Sequence, residues 1–168
     1  MNITFDYIST NGIKLHTALD GPKDGKPVIL LHGFPDAWFG WAAQIPALAA
    51  AGFRVIVPDQ RGYNLSDKPR GKAQYRINIL GQDILGLADA LSIDRFHLVG
   101  HDFGAMVSWE LAMTFPDRLD RLVIANVPHP YVMRQYLRKS QANVWVDHQT
   151  RLSIRYGEEC RIPPYTLW

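Results

Sequence analysis

Asp102 occupies the stretch whose residue types and spacing best fit chemistry. It sits in Leu98-Val99-Gly100-His101-Asp102-Phe103-Gly104-Ala105, an apolar strand-like run passing through a tight turn into a helix-like one, the context of a nucleophile elbow. Such a turn strains its central residue, so the residues two before and two after must be small, and Gly100 and Gly104 meet that need. The turn presents Asp rather than Ser, which changes the chemistry. A carboxylate is nucleophilic without a base and displaces a leaving group at saturated carbon, forming an alkyl ester with the protein. Epoxides and haloalkanes are substrates of that kind. Taken alone, an Asp before a helix reads as an N-cap that accepts first-turn N–H groups; the flanking strand and helix, with a second motif, turn the reading toward catalysis.

That second motif is His32-Gly33-Phe34-Pro35, directly after the apolar run Val28-Ile29-Leu30-Leu31. By itself it is a strand-ending turn. Paired with the elbow, it would bring the backbone N–H of Phe34 beside that of Phe103, both aimed at the Asp102 carbonyl oxygen while water attacks the ester. Donors of this oxyanion-hole type are worth roughly 3 kcal/mol each in the barrier.

Positioning these groups needs a sheet. Ile3 to Ile8 and Ile13 to Leu19 read as strands around an Asn11-Gly12 turn. Val28 to Leu31, Phe53 to Val57, Phe96 to Val99 and Leu122 to Val127 read as strands, the first three as short runs suited to burial on both faces. Between them, Trp38 to Ala51 has helical spacing and ends at Gly52, with Pro46 predicting a kink or break; Leu80 to Leu91 and Phe103 to Phe115 are also helical by pattern. Alternation of strands and helices predicts an α/β sheet with right-handed parallel crossovers.

Composition narrows the function classes. The 168 residues are 47% hydrophobic and 20% charged with a formal net charge of +2, as expected for one globular domain. No basic stretch alternates with aromatics, which argues against nucleic acid. Cys160 is the only cysteine, so neither an internal disulfide nor a cysteine-built metal site is available. Met1 to Tyr7 lacks the pattern of a secretory signal and no apolar run approaches membrane-spanning length, so a cytoplasmic protein without a membrane partner is expected. Residues 1–133 hold 12 basic and 13 acidic side chains, whereas 134–168 hold 6 and 3. The expected division is a core over 1–133 and the start of a lid, or a divergent tail, over 134–168.

Together the motifs resemble the epoxide hydrolases of the α/β-hydrolase superfamily, over residues 1 to about 139. The resemblance rests on Leu31 to Pro35, on Pro58-Asp59-Gln60-Arg61-Gly62-Tyr63-Asn64-Leu65-Ser66-Asp67-Lys68-Pro69, on Val99 to Gly104, and on Asn126-Val127-Pro128-His129-Pro130. It implies an α/β-hydrolase fold, a mostly parallel sheet flanked by helices. It implies that Asp102 opens the epoxide, that Phe34 and Phe103 contribute oxyanion N–H groups, and that the Phe34–Pro35 peptide is cis. His32, Gly33, Pro35, Gly100, His101 and Gly104 shape the site in that reading, and Trp38 is the candidate substrate contact. Asp59 and Arg61 are expected to be structural, pairing within their loop, and His101 to support the elbow. No cofactor or metal is implied; the partner is a small molecule, an epoxide or halogenated organic.

Two features qualify that likeness. Phe103 occupies a place where the family, and the related haloalkane dehalogenases even more so, usually carry Trp, and Phe34 one where Asn is often used. Neither Phe offers a side-chain donor for a departing halide, so epoxide opening is preferred, with haloalkane or haloacetate dehalogenation the alternative. The family's late His base, the acid that orients it and the C-terminal strands have no counterpart, and His148 lacks the required context. Tyr131, Tyr136, Tyr156 and Tyr165 are present, but no motif assigns any of them the lid-tyrosine role. A third expectation is therefore a catalytically incomplete fragment acting as a binding or assembly module. A second copy, or a missing C-terminal portion, would cover its open sheet edge.

Overall fold

The computed structural model describes residues 3–139. Its sheet has six strands, β1 (Thr4–Thr10), β2 (Ile13–Asp20), β3 (Lys26–Leu31), β4 (Phe53–Pro58), β5 (Phe96–His101) and β6 (Leu119–Ala125), in the order β1-β2-β4-β3-β5-β6. The first two pair antiparallel through the Asn11-Gly12 turn, where both residues have positive φ, as a two-residue hairpin of matching twist requires. β2 joins β4 antiparallel, and β4, β3, β5 and β6 run parallel.

Helices α1 (Gln44–Ala50), α2 (Ile77–Ala90), α3 (Phe103–Thr114) and α4 (Pro130–Lys139) complete the described fold. The continuous apolar runs reflect burial on both sheet faces. Ile29, Leu31, Ile56 and Leu98 join a cluster with Ile84 and Leu87 of α2 and Val107 and Leu111 of α3. Val28, Leu30, Val55 and Val57 face the other way, onto Ile45 of α1. β3, central in this arrangement, is buried from Val28 to Leu31.

The structure shifts several sequence-derived boundaries. The stretch from Trp38 to Ala51 is a 3-10 turn, Trp38–Trp41, followed by α1. Pro46 falls in the first turn of α1, where its missing N–H has no intrahelical partner to lose. α2 begins at Ile77 rather than Leu80. β6 begins at Leu119, paired with Phe96, and ends at Ala125 rather than Val127 because Asn126 turns the chain at φ 71°. α4 crosses residue 133, where the charge balance changes. Among the described residues no helix is long and apolar enough to cross a membrane.

Candidate active site

The carboxyl ends of β3, β4, β5 and β6 meet at one rim of the sheet, where an open α/β sheet places its ligands. Asp102 directly follows β5 and directly precedes α3, at φ 50° and ψ −116°. A non-glycine residue in this sparsely populated region costs about 1–3 kcal/mol and persists only where its surroundings enforce it. Here the enforcement is visible. The Asp102 N–H donates to Ala125 O at 3.3 Å, and its carbonyl accepts the N–H groups of Ala105 and Met106 at 3.0 and 3.2 Å.

Three glycines make the turn possible. A Cβ on Gly104 would collide with the Leu31 carbonyl and come within 2.7 Å of His32 O, and one on Gly100 would lie 2.6 Å from Gly104 O. A Cβ on Gly33 would stand 2.6 Å from the Cβ of Asp102. The His32-Gly33-Phe34-Pro35 loop and the elbow are thus in backbone-scale contact, although far apart in sequence.

The Asp102 side chain makes no capping hydrogen bond to α3. Its Oδ1 instead accepts the backbone N–H of Phe34 at 3.0 Å. This separates the two roles the sequence left open for an Asp at this position: the carboxylate faces the neighbouring loop, not the helix behind it. The Phe103 N–H belongs to the first turn of α3, whose donors lack intrahelical partners. Phe34 is 68% exposed and Phe103 45% exposed, so both aromatic side chains stand on an open surface. The Phe34–Pro35 peptide is cis.

Beneath this surface the support is polar and buried. His32 Nδ1 donates to Gly33 O at 2.9 Å, its Nε2 accepts the Gln60 N–H at 3.0 Å, and Gln60 Nε2 donates to His32 O at 2.6 Å. That pattern requires a neutral imidazole. Burial lowers the His32 pKa below its ordinary 6.5, against the opposing pull of the Gly33 carbonyl and of the Asp59 and Asp36 charges. His101 Nε2 accepts the Asn126 amide at 2.9 Å, which ties the elbow to the turn after β6.

Asp59 and Arg61 are structural, but they do not pair with each other as the sequence suggested. Asp59 is fully buried, bonding His16 Nδ1 at 2.7 Å and accepting Asn64 Nδ2 at 2.8 Å and the Trp38 N–H at 2.9 Å. Arg61 reaches Asp83 of α2 through two bonds of 2.6 and 2.7 Å. Each thereby anchors the loop to a different element. Trp38 is partly buried, its ring packing edge-on against Phe5 at 4.9 Å and onto the cluster under α1.

A cleft of about 360 Å³ opens beside Phe34, lined by Phe34, Pro35, Asp36, Ala37, Phe39, Gly62, Tyr63 and Asn64. Phe39, not Trp38, is the residue of the 3-10 turn that lines it. Tyr63 and Asn126 were not singled out from sequence; they lie within two of the stretches that carry the family resemblance, but nothing local marks them. A slightly larger cleft of about 390 Å³, bordered by Asp20, Gly21, Lys23 and Arg54, shares none of these residues. Among the described residues no group of three or more His, Cys, Asp or Glu could hold a metal ion.

Comparison with known proteins agrees with this fold. A family model described as alpha/beta hydrolase fold matches residues 26–147. The AB hydrolase superfamily protein YfhM of Bacillus subtilis is 52% identical over 128 residues, covering 76% of this chain and 45% of that protein. Epoxide hydrolase B of Mycobacterium tuberculosis is 45% identical over 123 residues, covering 72% of this chain and 35% of that protein. Among solved structures, Epoxide Hydrolase A from Mycobacterium thermoresistibile superposes with a TM-score of 0.75 at 35% identity, over 81% of this chain and 45% of that one. The chain spans less than half the length of these relatives.

Proposed function

The chain belongs to the α/β-hydrolase fold family, and from that premise we propose that it carries the nucleophilic part of an epoxide-opening hydrolase, with Asp102 as nucleophile. The observation that carries this reading is the Asp102 carboxylate, presented on a strained turn and held through Oδ1 by the Phe34 N–H rather than spent on capping α3. In this reading the free carboxylate oxygen attacks an epoxide carbon, and the ring C–O bond breaks. The product is an ester of Asp102 whose carbonyl oxygen lies next to the N–H groups of Phe34 and Phe103. His32, Gly33, Pro35, Gly100, His101 and Gly104 hold those donors and the carboxylate in register.

The surroundings favour an epoxide over a halogenated acid. Among the described residues the cleft lining includes Asp36 and no cation, and the Asp102 carboxylate bonds the cleft residue Phe34, so an anionic haloacetate meets repulsion. A departing halide would also need a side-chain donor, and Phe34 and Phe103 have none. Trp109, the indole nearest in sequence to the elbow, donates its Nε1–H to Val127 O at 3.1 Å. We read residues 134–168, most of which lie outside the described residues, as the start of a lid or a divergent tail; His148, Tyr156 and Tyr165 fall there.

The test is the intact mass of the chain after incubation with an aromatic epoxide, with Asp102→Ala in parallel. A gain of one substrate mass in the wild type and none in the variant is expected. Equal gain in both would assign the reaction to another side chain. No gain in either would leave the chain as a non-catalytic module of the same fold.

A further inference from the structure

Asp36 carries the one formal charge among the described residues that line the cleft beside Phe34. Phe34, Phe39 and Tyr63 give that lining its aromatic surface, and the first two are largely exposed. The Asp36 carboxylate is anchored on one side and open on the other. Its N–H donates to Gly33 O at 3.1 Å, closing a turn over Phe34 and Pro35, and Oδ1 accepts the Ala37 N–H at 2.9 Å. Oδ2 stands over Gly40, where a Cβ would collide with it, and has no hydrogen bond among the described residues. The cations of the adjoining loop are engaged elsewhere. The Lys68 ammonium donates to the carbonyls of Asn64 and Ser66, and the Arg61 guanidinium to Asp83. Asp36 forms no ion pair among the described residues, so its charge is left for a ligand to meet.

An aromatic surface with a single carboxylate suits a cation. Ring faces attract an ammonium group through their quadrupole, quaternary ammonium being the commonest small-molecule case, and an opposite charge beside the rings adds to that attraction. We propose that this cleft selects epoxides that carry a quaternary ammonium or protonated amine, the cation being held against the aromatic lining by Asp36; as a statement about substrate it rests on the reading of Asp102 as nucleophile. The charge that repels a haloacetate draws this group in. Phe34 belongs to both parts of the site, because it lines the cleft and its N–H bonds Asp102 at 3.0 Å. A cation seated in the cleft therefore brings an epoxide on a short tether up to the nucleophile, and a neutral substrate of the same shape gains only the apolar contact.

A pair of electrophiles matched in shape separates this role from a turn-forming one. The rate of mass gain is measured with a terminal epoxide that ends in trimethylammonium on a short alkyl tether and with its neutral tert-butyl isostere. Both are run on the wild-type chain and on Asp36→Asn, whose amide oxygen can still accept the Ala37 N–H. The ratio of the two rates, cationic over neutral, is expected to fall roughly threefold or more in the variant. In parallel, tetramethylammonium binding is read by saturation transfer to its methyl protons, and a similar loss of affinity is expected in Asp36→Asn. An unchanged ratio, equal tetramethylammonium binding by the two chains, or no binding by the wild type would overturn the assignment of Asp36 and leave Asp102 as it stands. Failure of the wild type to label with either epoxide would instead overturn the reading of Asp102 and the selection of epoxides with it. Tetramethylammonium binding alone would then decide whether the cleft takes a cation.

Discussion

At the scale of single residues, the site depends on atoms that are absent as much as on those present. Gly104 approaches the Leu31 carbonyl so closely that any Cβ must move backbone. Gly104→Ala is expected to destabilise the fold by about 1–3 kcal/mol and to abolish labelling of Asp102, read by urea unfolding and intact mass. His32 gives a pH dependence. Its pKa is lowered from 6.5 by burial, so the unfolded chain binds this proton more readily than the fold does. Stability should therefore rise with pH through the window below 6.5 and be lost as pH falls. Urea midpoints across that window are expected to fall with acidification in the wild type and to fall less in His32→Gln.

At the scale of elements, the loop from Asp59 to Lys68 is held near its start by two buried charges. Asp59 ties it to β2 and the 3-10 turn, and Arg61 ties it to α2. Asp83→Asn would leave the Arg61 guanidinium buried without its counter-charge, a loss of about 3–5 kcal/mol. A thermal or urea unfolding measurement checks it, and a near-neutral result would mean that the loop relaxes to solvate Arg61. The strands β3, β4 and β5 were legible in sequence because strands buried on both faces write continuous apolar runs. The elbow was legible because its glycines are spaced by a steric need. The partners of Asp59 and Arg61 were not, since pairing across tens of residues leaves no local pattern. The early start of β6 was hidden by Asp120 and Arg121, a half-buried and an exposed position at a sheet edge, and α4, although Val132, Met133, Tyr136 and Leu137 recur at helical spacing, straddles the change of charge balance that marks the expected start of a lid or tail.

At the scale of the whole molecule, the question is whether an ester formed on Asp102 can be released. Among the described histidines, His16 bonds Asp59, both His32 nitrogens are bonded, His101 accepts from Asn126, and His129 accepts the Tyr131 N–H while its ring packs on Trp109. His97 is the second residue of β5, about 16 Å of strand from Asp102. None is placed to activate water at the ester. The chain is therefore expected to form the adduct once and keep it, so diol release should stop near one equivalent; sustained turnover measured by product formation would contradict this.

The hydrogen bond from Phe34 to Asp102 joins residues 68 apart in sequence. Between them lie α1, β4, α2 and β5, and the bond closes only when β3 and β5 pair side by side. A chain growing from the ribosome would hold an unremarkable aspartate until that moment. Covalent capture at Asp102 would then time-stamp the completion of the sheet, and its onset during refolding would lag any signal that reports helix formation alone.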